Sequence, residues 1–370
     1  MQFSCATNLL LAGLSVAARA LSARTTQPIY EGILIRANSH TGCVTLTGSD
    51  GLISIVTTVA ADIEEDGCVI LPGKLFYEVM RRMPVGTLSV KLNDKLAATL
   101  RCMISRTTIA GQDAALYPAL PQITEYEQFT LPQTLLRDMI QRTAFAISTD
   151  ETRPVLMGSL MELSHGEIRM VAIDGFRLAL RLSRVASADR QINAIVPSRT
   201  LSEIAKLMSD NEEDMVQIDI FGNQMRITVD DTHIYATLIE GEFIRYRQII
   251  PQEFSTQARV DTRLFAGCIE RASLMAREGK NNLVRFAVRD GVIVITSNSE
   301  SGDVYEEIDA KITGEGIDIA FNVRYMQEVL RAIDDEEMVL NFNTPVSPCL
   351  IKPTGGDAFV YLILPVRVNA

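Results

Sequence analysis

The stretch LPGKLFYEVMRRM, which begins at Leu71, sets Phe76, Val79, Met80 and Met83 at i, i+3, i+4 and i+7, the spacing of one buried helix stripe. The same template recurs as Leu201, Ile204, Ala205 and Met208, and again as Met326, Val329, Leu330 and Ile333. Pro72, Pro197 and Asn322 stand at the three helix entries, at a constant spacing of 125 residues. A fixed period of that length predicts repeated domains and not a short solenoid repeat. An earlier helix precedes each copy, in LLLAGLSVAARALSA, LPQTLLRDMIQRTAFAIS and DTRLFAGCIERASLMAR, with Arg19, Arg142 and Arg271 in matching places. Between and after the helices come period-2 strand patterns, of which MVQIDIFGNQMRITVDDTHIYATLIEG, with its central turn, is the cleanest. Each copy closes on a similar phrase: YPALP, FIRYRQIIP, YLILP. The pattern predicts an α+β fold of three repeated domains, 1–124, 125–251 and 252–370, each with two helices covering one side of antiparallel sheet.

At 100° per residue, the first and eighth positions of the repeated helix fall about 160° from the centre of its apolar stripe. All three copies are basic at both: Lys74 and Arg81, Arg199 and Lys206, Arg324 and Arg331. Glu78, Glu203 and Glu328 are expected on the same outer face, where acid–base pairs three residues apart often serve only to solubilise a helix. Solvation alone does not require the same sign at the same two positions three times. A shared basic surface facing a polyanion accounts for it better.

The overall charge changes this picture only in part. The net charge is −11, and phosphate binding needs Lys and Arg. Residues 1–124 hold 10 basic against 9 acidic side chains, residues 125–251 hold 13 against 19, and residues 252–370 hold 12 against 18. The acid is spread, so a basic surface has to be local. Six scattered cysteines without a C-x-x-C pair fit a reduced, cytosolic thiol set. The run NLLLAGLSVAARALSA has a signal-like look, but no Lys or Arg precedes it and Arg19 interrupts it. Leu9, Leu10, Gly13, Leu14, Ala17 and Leu21 recur at helical spacing, so an amphipathic helix is expected. No other run approaches the roughly 18–20 apolar residues of a membrane span.

Catalytic and cofactor signatures are missing. The chain has no Walker A loop, H-E-x-x-H, G-x-S-x-G or paired-Cys metal spacing, and GEGIDIA lacks the third glycine of a dinucleotide loop. Asp174, beside Gly175 and Arg177, reads as a turn with a docking Arg, since no partner base lies nearby in the sequence. Three isolated histidines offer little to a metal. The chain is expected to be no enzyme, with no catalytic residues, no metal and no cofactor.

The three-part repeat, RTTQPIYEGILI near the start, RPVLMG and AIDGFRLAL in the middle, GEFIRYRQIIP at its end, FNVRYMQEVL in the third copy and the terminal YLILPVR together resemble the bacterial sliding clamp, the β subunit of DNA polymerase III. The likeness covers essentially the whole chain. It implies a protomer forming half of a closed ring, a homodimer joined head to tail around double-stranded DNA without sequence specificity, and a cytoplasmic processivity factor. An acidic exterior with a modest basic lining lets a duplex slide without its base edges being read. The DNA-facing residues it implies are Arg19, Arg24, Arg142, Arg199, Lys206, Arg271, Arg324 and Arg331. Lys74 and Arg81 stand apart, because in this family the corresponding helix lies near the seam.

The resemblance also implies a pocket where the replicative polymerase and clamp loader dock short peptide motifs. Its positions fall on Leu156, Ile173, Gly175, Phe176, Arg177, Leu178, Ile244, Ile249, Asn322, Tyr325, Val346, Pro348, Leu362, Leu364, Pro365, Val366 and Arg367. Most are apolar, as anchors for Leu or Phe side chains require. Where the commonest pattern reads Thr-Asp-Gly-His-Arg, this chain reads Ile173, Asp174, Gly175, Phe176, Arg177, and Ile244 replaces an expected Pro, so a greasier pocket is implied. At the dimer seam, with Lys74, Thr107 stands where a Phe is often found. Ile109, Leu274 and Met275 are the remaining apolar seam candidates. Against this stand a monomeric repeat scaffold, a secreted ligand-binding protein with the N-terminal run as its signal, and an enzyme housed in the middle domain.

Overall fold

The computed structural model describes residues 1–22, 27–123, 125–185, 191–279 and 282–367. Among these lie six α-helices: α1 (Thr7–Ala17), α2 (Gly73–Arg81), α3 (Gln133–Gln141), α4 (Ser198–Leu207), α5 (Thr262–Glu278) and α6 (Val323–Leu330). The repeat is visible in the element bounds. Strands Gly67–Pro72, Ile192–Pro197 and Ile317–Asn322 run directly into α2, α4 and α6.

The helix entries use different local chemistry. Pro72 fixes its φ at −55° and offers no capping side chain. Asn322 caps α6, its side chain accepting the N–H of Arg324 at 3.0 Å. The longer α5 starts on Asp261, whose carboxylate accepts the N–H of Leu264 at 2.8 Å. All twelve residues of the predicted stripe are buried or half-buried, although Met83, Met208 and Ile333 lie just past the helix ends.

The chain forms two compact units, Met1–Gln133 with Lys206–Leu238, and Thr134–Ala205 with Ile239–Ala370. In the first, a five-stranded sheet runs in the order Asp62–Glu65, Gln2–Ala6, Thr87–Leu92, Ala97–Cys102, Ser105–Ala110. An eight-stranded sheet follows the order Glu127–Pro132, Met215–Phe221, Gln224–Val229, Thr232–Thr237, Ile53–Ala60, Cys43–Ser49, Gly32–Asn38, Gly67–Pro72. Leu10 and Leu14 of α1 and Phe76 and Met80 of α2 meet Phe3, Ile35 and Leu46 in one core. The N-terminal run is thus part of that core, though Leu9 is exposed. Gly48 permits a close approach: a Cβ there would stand 2.1 Å from the Ala17 carbonyl oxygen at the end of α1.

In the second unit a nine-stranded sheet runs Ile192–Pro197, Gly158–Ser164, Glu167–Ile173, Arg177–Arg184, Phe359–Ile363, Cys349–Pro353, Glu337–Phe342, Thr256–Asp261, Lys311–Gly314. A four-stranded sheet runs Gly302–Asp309, Val292–Ser299, Leu283–Arg289, Ile317–Asn322. Under α5, Phe265 meets Phe286 edge-on at 5.6 Å, and Phe286 meets Phe321 at 5.3 Å.

Both large sheets are antiparallel, and both join strands from different thirds of the sequence. Thr232–Thr237 pairs with Ile53–Ala60, setting Tyr235 opposite Ser54. Arg177–Arg184 pairs with Phe359–Ile363, setting Leu178 opposite Leu362. The second ladder brings the Asp174 turn and the C-terminal tail together.

Candidate functional site

All six predicted basic positions, Lys74, Arg81, Arg199, Lys206, Arg324 and Arg331, are exposed. Glu78 pairs with Arg81 at 3.4 Å and with Arg82 at 3.3 Å. Glu203 departs from the expected outer face and is buried. It lies between Thr200 and Leu207 at helical spacing, which puts it on the flank of the apolar stripe.

The earlier arginines are placed differently. Arg19 is half-buried in the turn Ala18–Ala20 that follows α1. Arg142 forms ion pairs with Asp138 and Asp334 and donates to the Ala332 carbonyl beyond the end of α6. Arg181 shares Asp138 at 2.9 Å, and the Tyr361 hydroxyl donates to the same Ala332 carbonyl at 3.3 Å. Arg271 grips Glu306 through two hydrogen bonds of 2.7 Å. Arg142 and Arg271 therefore each already carry a carboxylate of their own chain. Arg24 lies outside the described residues.

The residues expected to form a peptide pocket all lie in the second unit. Leu156, Ile173, Leu178 and Leu362 belong to one buried cluster with Leu160, Phe243 and Tyr246. Phe176, Ile244, Ile249, Val346 and Leu364 are exposed apolar side chains. Buried floor and exposed anchors thus occur together in the set the sequence singled out. Pro348, Pro365 and Val366 are half-buried, and Arg367 is exposed. The Leu364 N–H donates to the Phe176 carbonyl at 2.9 Å, and the Val366 N–H donates to the Ala320 carbonyl at 2.8 Å. These two bonds tie the C-terminal tail to the Asp174 turn and to strand Ile317–Asn322.

The turn at Asp174 is built by its side chain. One carboxylate oxygen accepts the N–H groups of Phe176 at 2.8 Å and Arg177 at 3.0 Å, while Gly175 takes φ +94°, a conformation that favours glycine. The other oxygen accepts from the Arg177 guanidinium at 2.9 Å. Arg177 is only 8% exposed. It also binds the Glu328 carboxylate and the Phe145 carbonyl, so a buried charge is paired and hydrogen-bonded. Its guanidinium lies 4.6 Å from the Tyr325 ring centroid and 5.3 Å from that of Phe145. Burial, with the nearby Asp174 carboxylate, pushes the Tyr325 phenol above its usual pKa.

Beside this cluster is a cavity of about 840 Å³ whose lining includes Phe145, Arg153, Phe176, Arg177, Arg324 and Tyr325. Phe145, Arg153 and Glu328 were not singled out as pocket residues. Phe145 sits in a segment that reads as plain helix, and Glu328 reads as an outer-face solubilising charge. Nothing local in the sequence signals their approach to Arg177.

Of the seam candidates, Lys74 and Leu274 are exposed, and Thr107 and Met275 are half-buried. Ile109 is 3% exposed and packs into the core of the first unit. Its strand alternates, which turns Ile109 inward while Arg106 and Thr108 face out. Among the described residues no three His, Cys, Asp or Glu side chains gather as metal ligands, and no helix is long and apolar enough to cross a membrane.

Residues 1–121, 130–244 and 247–367 match the models of the N-terminal, central and C-terminal domains of the DNA polymerase III beta subunit. A beta sliding clamp of Staphylococcus aureus is 36% identical over 379 aligned residues, covering 99% of this chain and 99% of the relative. The beta sliding clamp of Bacillus subtilis is 34% identical, covering 99% of this chain and 100% of the relative. The crystal structure of the DNA polymerase sliding clamp from Bacillus subtilis superposes with a TM-score of 0.96 at 34% identity, and covers all of both chains. A DNA polymerase III beta subunit structure from Eubacterium rectale, described as putative, also gives a TM-score of 0.96, at 30% identity over both full chains.

Proposed function

The chain belongs to the family of bacterial sliding clamps, the beta subunits of DNA polymerase III, and we propose that two copies close head to tail into a ring that encircles duplex DNA and tethers motif-bearing partners to it. It is a DNA sliding clamp and not an enzyme. The observation that carries the ring reading is the exposed basic pair repeated at a spacing of 125 residues in a chain of net charge −11. Cations confined to one lining attract phosphates, while the acidic remainder discourages stray binding. Phosphate contacts carry no base information, so the duplex is held without being read.

The proposed domains remain 1–124, 125–251 and 252–370, and the proposed DNA-facing residues are the exposed Arg199, Lys206, Arg324 and Arg331, together with Arg19, Arg24, Arg142 and Arg271. For the seam, two sheet edges support a head-to-tail contact. Strand Ser105–Ala110 ends the five-stranded sheet and strand Gly302–Asp309 ends the four-stranded one. Each presents ladder groups to a new neighbour. The first carries Arg106, while the second carries Asp303, Glu306, Glu307 and Asp309, so unlike ends attract. Thr107, Leu274 and Met275 are the proposed side-chain contacts, with Lys74 near them.

The apolar anchors Phe176, Ile244, Ile249, Val346 and Leu364, over the floor of Leu156, Ile173, Leu178 and Leu362, are the proposed dock for polymerase and clamp-loader peptides, oriented by Gly175, Arg177, Asn322, Tyr325, Pro348, Pro365, Val366 and Arg367. We place the protein in the cytoplasm, in keeping with its work on DNA and with cysteines that are free throughout the described residues.

The test of the ring is topological. Loaded onto nicked circular DNA, the protein should stay bound through a high-salt wash and leave when the circle is cut. Contacts by counterion release alone weaken steeply with salt. Loss in the wash, or retention after linearisation, overturns encirclement.

A further inference from the structure

A second hollow, of about 810 Å³, lies on the outer face of the four-stranded sheet. Strand Leu283–Arg289 alternates, burying Val284, Phe286 and Val288 and turning Arg285 and Ala287 outward. Ala287, Val294 and Ala320 line the hollow, and such short side chains leave space unfilled above the sheet. Pro345, Val346 and Val366 contribute to its lining, the last held by its bond to Ala320. Arg285 and Arg367 stand exposed at the hollow, and neither has an ion-pair partner among the described residues. Asp318, the carboxylate in the lining, is paired with Arg289.

We propose that this hollow receives the segment flanking the anchored motif of a partner peptide, a segment that sets an acidic side chain beside a large apolar one. The inference rests on the peptide-pocket reading above, because Val346, Val366 and Arg367 belong to both the pocket and the hollow. A peptide held at the anchors has only to continue along the tail to enter it. The chemistry of the walls selects the flank: two unneutralised guanidinium groups favour carboxylates, and the apolar floor rewards burial of a ring or branched chain. A nucleic-acid strand fits less well. The neighbouring edge strand exposes Asp303, Glu307 and Asp309, which oppose a continuous polyanion but leave room for one or two carboxylates. The volume lies within the roughly 300–1,000 Å³ of pockets that enclose a small ligand.

The test uses the full-length protein and fluorescence anisotropy with a short peptide carrying Leu-Phe anchors, alone, lengthened at either end by Glu-Glu-Phe, and lengthened by Lys-Lys-Phe as a charge control. One acidic extension should tighten binding about tenfold, the gain should shrink with added salt, and Arg285→Glu should remove it while leaving the anchor peptide unchanged. Val294→Glu, placed on the floor, should do the same, and circular dichroism checks that both variants are folded. Equal binding of all lengthened peptides, or a gain that survives Arg285→Glu, overturns the proposal. So does a single-stranded oligothymidylate that loses affinity on Arg285→Glu when the acidic peptide does not. If the anchor peptide itself fails to bind, the pocket reading falls and the extension falls with it.

Discussion

Phe176 stacks on Tyr325, with ring centroids 6.0 Å apart and planes inclined by 22°. The pairing matters because Phe176 is 58% exposed and would otherwise have little to fix its rotamer. Stacked aromatic pairs contribute about 0.5–1.5 kcal/mol beyond their buried area. Replacing Phe176 with Ala should therefore leave the fold intact, with a stability loss of about 1 kcal/mol at most. It should weaken partner-peptide binding about tenfold. Isothermal titration with an anchor peptide checks the second expectation.

Arg177 is the hub beneath that stack, joined to Asp174, Glu328 and Phe145 at once. Removing one member of a buried charge cluster leaves the others unpaired in a poorly solvated site. Arg177→Ala should destabilise the protein by about 3 kcal/mol. Arg177→Lys keeps the charge but not the planar fork, and should fall in between. Urea midpoints for both variants give the ranking.

Reversing Arg199, Lys206, Arg324 and Arg331 to Glu should abolish or strongly reduce loading onto nicked circular DNA. All four are exposed, so circular dichroism and melting temperature should change little. Loading at the wild-type level would refute their assignment to the DNA-facing surface.

Deleting the terminal segment from Leu364 removes the N–H groups that bond Phe176 and Ala320, along with an apolar anchor. Peptide binding should disappear while dimer formation persists, as read by light scattering. Unchanged peptide affinity in the truncated protein would relocate the dock.

Hydrogen bonding from Arg271 holds the Glu306 carboxyl below its ordinary pKa. The sign follows from linkage: a depressed folded-state pKa adds stability above the ordinary value, here 4.5, that is lost as pH falls through the lowered one. Glu306→Gln should thus lower the melting temperature at pH 7, and the difference from wild type should vanish in acid. A difference that grows on acidification would contradict this sign.

Much of this was legible because helical periodicity is a local property. The stripe from Phe76 to Met83 and its two later copies predicted buried faces, and the burial agrees at every position. The exposed cations opposite that stripe were legible for the same reason. Glu203 was not, since its position on the flank of the stripe is decided by tertiary packing. The burial of the seam candidate Ile109 was not legible, because strand alternation assigns inside and outside only once the sheet's covered face is known. The least legible feature was the company Arg177 keeps. Phe145 and Glu328 lie 32 and 151 residues away in the chain, and no short-range pattern announces such a meeting.

The ladder that sets Tyr235 opposite Ser54, and its counterpart that sets Leu178 opposite Leu362, carry a practical lesson for protein engineers. A gene cut neatly at the repeat boundaries would strip a middle fragment of a strand partner on each of two sheets and leave sticky ribs prone to clumping. Transplanting such a module between relatives should succeed only when the neighbouring ribs travel with it or match residue for residue.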